Sequence, residues 1–186
     1  MIADHHLAWE ERAFHAVNVD GGRWVDALAQ ALSSPWFGAV VGLALAAALA
    51  FWRAPARWRW LLALALALAL SDGLGSQVLR PLLARGRPVF VLPPGSVRWI
   101  APAADVGSLP SLHAANFFAM ALVGTAAWPG LWPAFYAIAA GVAWSRVYVG
   151  VHWPLDVVGG ALWGSLCAAA AMAIARGAES RLRRGA

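Results

Sequence analysis

Residues 145–156 read SRVYVGVHWPLD and place a cation (Arg146), an imidazole (His152) and a carboxylate (Asp156) in one short stretch, with Pro154 between the last two. Imidazole is a nucleophile near neutral pH when one ring nitrogen is free and the other is held. A carboxylate four residues on can hold that second nitrogen and stabilise positive charge on the ring. Two more polar clusters lie upstream. RPLLARGRP carries Arg80 and Arg87, each followed by proline, and LPSLHAAN carries Ser111 and His113. Guanidinium groups are forked, permanently charged donors suited to phosphate oxygens. Ser111 and the first amides of the following helix add uncharged donors at the positive end of a helix dipole. His113 can protonate a departing oxygen. The set fits phosphoryl transfer through a nucleophilic histidine. It does not fit a magnesium site, because the carboxylates are few and scattered among arginines.

Each feature taken singly also has a plain structural explanation. Arginine followed by proline punctuates helix ends at a membrane, Ser111 after Pro110 can be an N-cap, and Asp156 can sit in the first turn of a helix that Pro154 starts. A lone interfacial histidine is more often structural than catalytic. What favours chemistry is the elements that must position these residues together. The chain has 186 residues, 61% hydrophobic and 12% charged, too apolar for a soluble domain to cover itself. The expected fold is all-α, an integral membrane bundle. Five apolar runs have the length of membrane spans: Trp36 to Trp52, Arg59 to Leu79, His113 to Trp128, Leu131 to Val149 and Val157 to Ala175. LLALALALAL alternates like a strand, but its length and strong helix formers decide for helix. WPGLWP makes a tight turn between the third and fourth spans, tryptophans recur near span ends, and Gly160 and Gly164 signal close packing.

Residues 7–34 mix aromatics with acids and arginines. They predict two short amphipathic helices broken at Asp20-Gly21-Gly22 and lying at the interface; a sixth, weakly hydrophobic span is the alternative. The chain thus divides into an interfacial segment (1–35), a transmembrane bundle (36–175) and a basic tail (176–186). The polar start MIADHHLAWEER has no features of a cleavable signal peptide. All 14 basic residues are arginine, and the net charge is +5. No basic stripe alternates with stacking aromatics, so nucleic acid is not the expected partner. Cys167, the single cysteine, lies in an Ala-rich run and reads as an inert buried thiol.

Arg53, Arg57 and Arg59 between the first two spans, and Arg176, Arg181, Arg183 and Arg184 after the fifth, fall on one side, which the positive-inside rule makes cytoplasmic. Arg80, Arg85, Arg87 and Arg98 fall on the other side, against a simple count. Function can hold some of them there, because all three polar clusters converge on that face. Asp72, in SDGLGSQ at the polar end of the second span, is an intramembrane acid and hence a functional candidate. Two helical turns, about 12 Å along the axis, separate it from Arg80, so a supporting role in a water-filled cavity is expected in place of a direct pair.

Together the three clusters resemble the signature motifs of the type 2 phosphatidic acid phosphatase superfamily, which includes bacterial acid phosphatases, glucose-6-phosphatase and vanadium haloperoxidases. The family's first motif is lysine, six residues, Arg-Pro; here it is Arg80, then Arg87-Pro88. The second is Pro-Ser, one residue, His; here Pro110-Ser111-Leu112-His113. The third is Ser-Arg, five residues, His, three residues, Asp; here Ser145-Arg146, His152 and Asp156. The resemblance covers roughly residues 72–160. It implies that His152 forms a phosphohistidine, Asp156 orients it, and His113 is the general acid. It further implies that Arg80, Arg87, Arg146 and Ser111 bind the phosphoryl group, with no metal or other cofactor. Two positions depart from the pattern. Arg80 replaces lysine with a longer, forked cation, and Leu112 adds bulk where glycine or serine is frequent.

An embedded site favours a phosphate carried by an amphiphile. The resemblance implies a bacterial inner-membrane enzyme acting on undecaprenyl diphosphate first, then phosphatidylglycerol phosphate, phosphatidic acid or lipid A phosphate. Haloperoxidase chemistry ranks low, since those soluble relatives lack the spans. The alternatives are a non-catalytic binder of anionic lipid, which needs the arginines but not His152, Asp156 and His113 at these spacings, and a phosphotransferase passing the phosphoryl group to another lipid.

Overall fold

The structure, a computed structural model, describes residues 6–52, 57–103 and 107–185. Arg53, one of the arginines that indicate the orientation, lies outside the described residues. Two short helices come first, α1 (Ala8–Val17) and α2 (Gly22–Leu32). They break where the Asp-Gly-Gly run predicts, with the Gly22 N–H donating to Asp20 Oδ1 at 2.8 Å. The long helices are α3 (Pro35–Trp52), α4 (Arg57–Leu74), α7 (Leu112–Ala127), α8 (Trp132–Tyr148) and α9 (Pro154–Gly185). Each overlaps one of the five expected spans. Between α4 and α7 lie two single-turn helices, α5 (Arg80–Leu83) and α6 (Pro88–Val91).

By length and composition three helical stretches can cross a membrane alone: Pro35–Trp52, Arg57–Leu83 and Pro154–Leu182. α7 and α8, with 16 and 17 residues, are about a turn shorter than the hydrocarbon thickness requires. Trp36, Leu43, Phe51, Leu162 and Leu166 are well exposed on the outer faces. Lipid is the solvent that makes such surfaces stable.

α7 is the central helix and packs against α4, α8 and α9. Its Phe117, Met120 and Val123 meet Leu64 of α4, Val142 of α8 and Ala168 of α9 in the main core. The two glycines of α9 allow the closest approach. A Cβ at Gly164 would lie 1.8 Å from the Ala115 carbonyl oxygen, and one at Gly160 would lie 2.4 Å from that of Ser111. Backbone contact here fixes the start of α7 against the start of α9, which brings the second and third polar clusters together.

Two features depart from the sequence expectation. The second span does not end at Leu79. α4 passes into a wider π-helical segment, Gly75–Leu79, and continues through α5 to Leu83. Such segments are rare and often occur at functional sites; this one shifts the register so that Arg80 follows directly. α9 starts at Pro154 and runs through the arginine-rich tail to Gly185. There Arg59 Nη1 donates to Glu179 at 2.8 Å.

Candidate active site

His152 lies in the short connection between α8 and α9. Its backbone N–H and that of Val151 donate to the Arg146 carbonyl at 3.2 and 3.3 Å, which closes a tight turn at the end of α8. Gly150 makes the turn possible. Its φ is +87°, and a Cβ there would be 2.6 Å from the Arg98 carbonyl oxygen, so a side chain is excluded on both counts. Pro154 then starts α9 and places Asp156 in its first turn. Asp156 Oδ2 accepts the Trp153 N–H at 2.8 Å and lies 3.3 Å from His152 Nδ1. The Asp156 carbonyl accepts the Ser111 N–H at 2.9 Å and so couples the start of α7 to the same carboxylate residue.

On its other side, His152 Nε2 is 3.1 Å from Arg87 Nη1. A guanidinium can only donate, so Nε2 must be the accepting nitrogen and the ring proton sits on Nδ1, facing Asp156. Burial, then the nearby arginines with Arg87 foremost, pushes the His152 imidazole well below its usual range. The ring is therefore neutral at physiological pH, with its lone pair on the nitrogen beside Arg87. A held Nδ1 and an unprotonated Nε2 are what nucleophilic attack by histidine requires.

His152 borders a cavity of about 570 Å³ lined also by Arg80, Arg87, Arg146, His113 and Asp72 on its polar side, and by Leu68, Leu112, Phe117 and Met120 on its apolar side. Arg87 Nη1 donates to the Val151 carbonyl at 3.0 Å, Arg80 Nε to that of Pro110 at 3.2 Å, and Arg146 Nη1 to that of Ser33 at 3.1 Å. Backbone carbonyls thus aim all three guanidiniums. Ser111 is fully buried at the N-cap of α7, and its Oγ has no hydrogen-bond partner among the described residues. Asp72 does not pair directly with Arg80; it accepts from Asn116 Nδ2 at 3.2 Å across the cavity. The extra bulk of Leu112 is taken up by Gly75 of the π-helical segment, where a Cβ would approach Leu112 Cδ2 to 2.5 Å.

The structure thus brings His152, Asp156 and Arg87 into one bonded chain, and sets Arg80, Arg146, His113 and Asp72 around one cavity. It also separates the arginines of this face. Arg98 is tied away from the cavity by Asp26 of α2, at 2.8 and 2.5 Å. That pairing, followed by the Tyr148 hydroxyl, holds the Asp26 carboxyl below its usual range. Arg85 turns into the bundle and bonds both Asp156 Oδ1, at 2.7 Å, and Glu10. Ser108 Oγ donates to Asp156 Oδ2. Glu10, Arg85 and Ser108 as parts of this network were not assigned from sequence. A signal did exist for Glu10: it lies four residues before the buried Phe14, a carboxylate on the apolar face of an amphipathic helix.

Among the described residues no group of three His, Cys, Asp or Glu side chains could hold a metal ion. The three guanidiniums line one cavity with His152, whose unprotonated Nε2 accepts from Arg87.

The PAP2 superfamily model matches residues 60–179. YbjG of Escherichia coli (strain K12), provisionally named an undecaprenyl-diphosphatase, is 46% identical over 61 residues, 32% of this chain and 30% of that protein. The match therefore spans less than a third of that relative's length. Aquifex aeolicus LpxE has the same fold, with a TM-score of 0.77 and 24% identity over 92% of this chain and 99% of that one. So does a transmembrane PAP2-type phosphatidylglycerolphosphate phosphatase from Bacillus subtilis, with a TM-score of 0.63 and 21% identity over 95% of this chain and 89% of that one.

Proposed function

The chain belongs to the PAP2 superfamily, and on that premise we propose that it is a membrane lipid phosphatase working through a phosphohistidine. His152 Nε2 attacks phosphorus while Asp156, accepting from Nδ1–H, stabilises the growing positive charge of the ring. The bond from phosphorus to the leaving oxygen breaks, and His113 supplies that oxygen with a proton. Water then attacks phosphorus and gives a proton to His113, the bond from phosphorus to Nε2 breaks with its electron pair returning to the neutral imidazole, and phosphate leaves. Arg80, Arg87, Arg146 and Ser111 hold the phosphoryl oxygens, and Asp72 with Asn116 keeps the cavity wall polar beside them. The observation that carries this proposal is the tautomer of His152, with Nδ1–H on Asp156 and an unprotonated Nε2 beside Arg87, in a residue that lines an arginine-rich cavity.

Undecaprenyl diphosphate is the first substrate proposed, followed by phosphatidylglycerol phosphate and phosphatidic acid. Support comes from the apolar wall that continues from the phosphate site and from the name of the E. coli relative. Residues 36–175 form the catalytic bundle in this proposal, 1–35 lie at the interface, and 176–186 are a basic tail. Purified protein in detergent is expected to release inorganic phosphate from these lipids in excess chelator. Loss of turnover on adding chelator would remove the metal-free mechanism. Transfer of the phosphoryl group to added lipid alcohol in place of water would make the protein a phosphotransferase.

The site is proposed to face outward from the cytoplasm in a bacterial inner membrane. Ser96 is exposed on that face and Ser180 at the far end of α9, while the native Cys167 is buried. A membrane-impermeant thiol reagent applied to intact cells should label Ser96→Cys and spare Ser180→Cys. The opposite pattern would invert the topology.

A further inference from the structure

α1 carries a buried carboxylate that the proposed mechanism does not use. Glu10 is fully buried, and its Oε1 accepts the Leu155 N–H at 2.9 Å in the first turn of α9. Its Oε2 accepts from Arg85 Nη2, and Arg85 Nη1 donates to Asp156 Oδ1 at 2.7 Å. Asp156 then reaches His152 through its second oxygen. Three carboxylate-bearing links therefore run in one line from the N-terminal helix to the ring nitrogen that is not the attacking one.

We propose that Glu10 is a positioning residue for the phosphoryl-transfer reaction, acting through Arg85 to set the orientation and charge of Asp156. The inference rests on His152 being the nucleophile and Asp156 its support. An isolated Arg85 would form an ion pair with Asp156 alone and draw its charge away from His152. With Glu10 on the opposite edge of the guanidinium, Arg85 is already neutralised. Asp156 Oδ1 is held in place while Oδ2 keeps its charge for the imidazolium that forms during attack. The buried triad is also expensive to assemble, since both carboxylates and the guanidinium are withdrawn from solvent. A structural tie between α1 and α9 needs only the bond to Leu155.

Glu10→Gln separates the two roles. The amide keeps the shape and can still accept from Leu155, but it removes the charge facing Arg85. The expected result is a fall in kcat of about 10- to 100-fold, the range typical of outer partners that orient a reacting group, with KM changed less than about 3-fold. The loss should persist when rates are normalised to folded protein by gel-filtration yield and thermal midpoint. Glu10→Asp, which restores the charge, should recover part of kcat. In Arg85→Gln protein, the same Glu10→Gln change should cost almost nothing more, because the path is already cut. Wild-type kcat in Glu10→Gln, or equal losses in the presence and absence of Arg85, would overturn the proposal. A kcat that is unchanged per folded molecule while the thermal midpoint drops would reduce Glu10 to a structural tie. If His152→Ala retained turnover, the underlying mechanism would fail instead, whatever Glu10→Gln did.

Discussion

His152→Ala is expected to abolish turnover of every lipid phosphate alike, with kcat reduced by about 10⁶-fold, the scale on which a covalent nucleophile is lost. The effect should not depend on the leaving group, because no route to the intermediate remains. Binding should survive. The guanidiniums of Arg80, Arg87 and Arg146 are aimed by the backbone carbonyls of Pro110, Val151 and Ser33, and none of these bonds needs the imidazole side chain. A non-hydrolysable lipid phosphonate should therefore bind the variant within a few-fold of wild type. Rapid quenching in alkali, in which the P–N bond survives, should show labelled phosphohistidine in the wild type with ³²P substrate and none in the variant. Residual turnover at a hundredth of wild type, or a label that survives the substitution, would place the nucleophile elsewhere.

The bundle was legible in the sequence because lipid imposes a length on each apolar run, and each of the five runs overlaps one of the five long helices. Helix ends were less legible. Hydropathy marks where a helix leaves lipid, not where it stops, and α9 continues past Ala175 through Ala, Arg and Glu residues that are all good helix formers. The π-helical segment at Gly75–Leu79 carries no local signal; what marks its start is the close approach of Leu112 and Trp163 to Gly75, from elements far along the chain. Arg85 and Arg87 show the same limit within the site. They lie two residues apart in one basic run, yet one bonds Glu10 and Asp156 deep in the bundle and the other faces His152 at the cavity. Asp156, Glu10 and His152, the side-chain partners that distinguish them, lie 71, 75 and 65 residues away, and no local pattern encodes such partners. The motif residues were legible because their spacing is itself the constraint. His152 and Asp156 are one helical turn apart, with the proline that starts the helix between them.

The two histidines should be separable by substrate. His113 lines the same cavity as His152, in the first turn of α7, and its proposed task is to protonate the departing oxygen. For a phosphate monoester such as phosphatidic acid, that oxygen leaves as an alkoxide, a strong base that needs a proton as the bond breaks. General acid help of this kind is typically worth about 10²–10⁴-fold, and His113→Ala should cost near the upper end. For a polyprenyl diphosphate the leaving group is itself a phosphate, far less basic, and the guanidiniums around the cavity can neutralise part of its charge. There the loss should be much smaller. The measurement is the ratio of variant to wild-type kcat/KM on both lipids, under conditions where departure of the leaving group limits the rate. A drop on phosphatidic acid at least ten times larger than on undecaprenyl diphosphate is the expected outcome. Equal drops would mean that His113 acts on the phosphoryl group and not on the leaving oxygen. The proton would then have to come from elsewhere, and Asp72, a carboxyl group on the cavity wall, would be the next position to substitute.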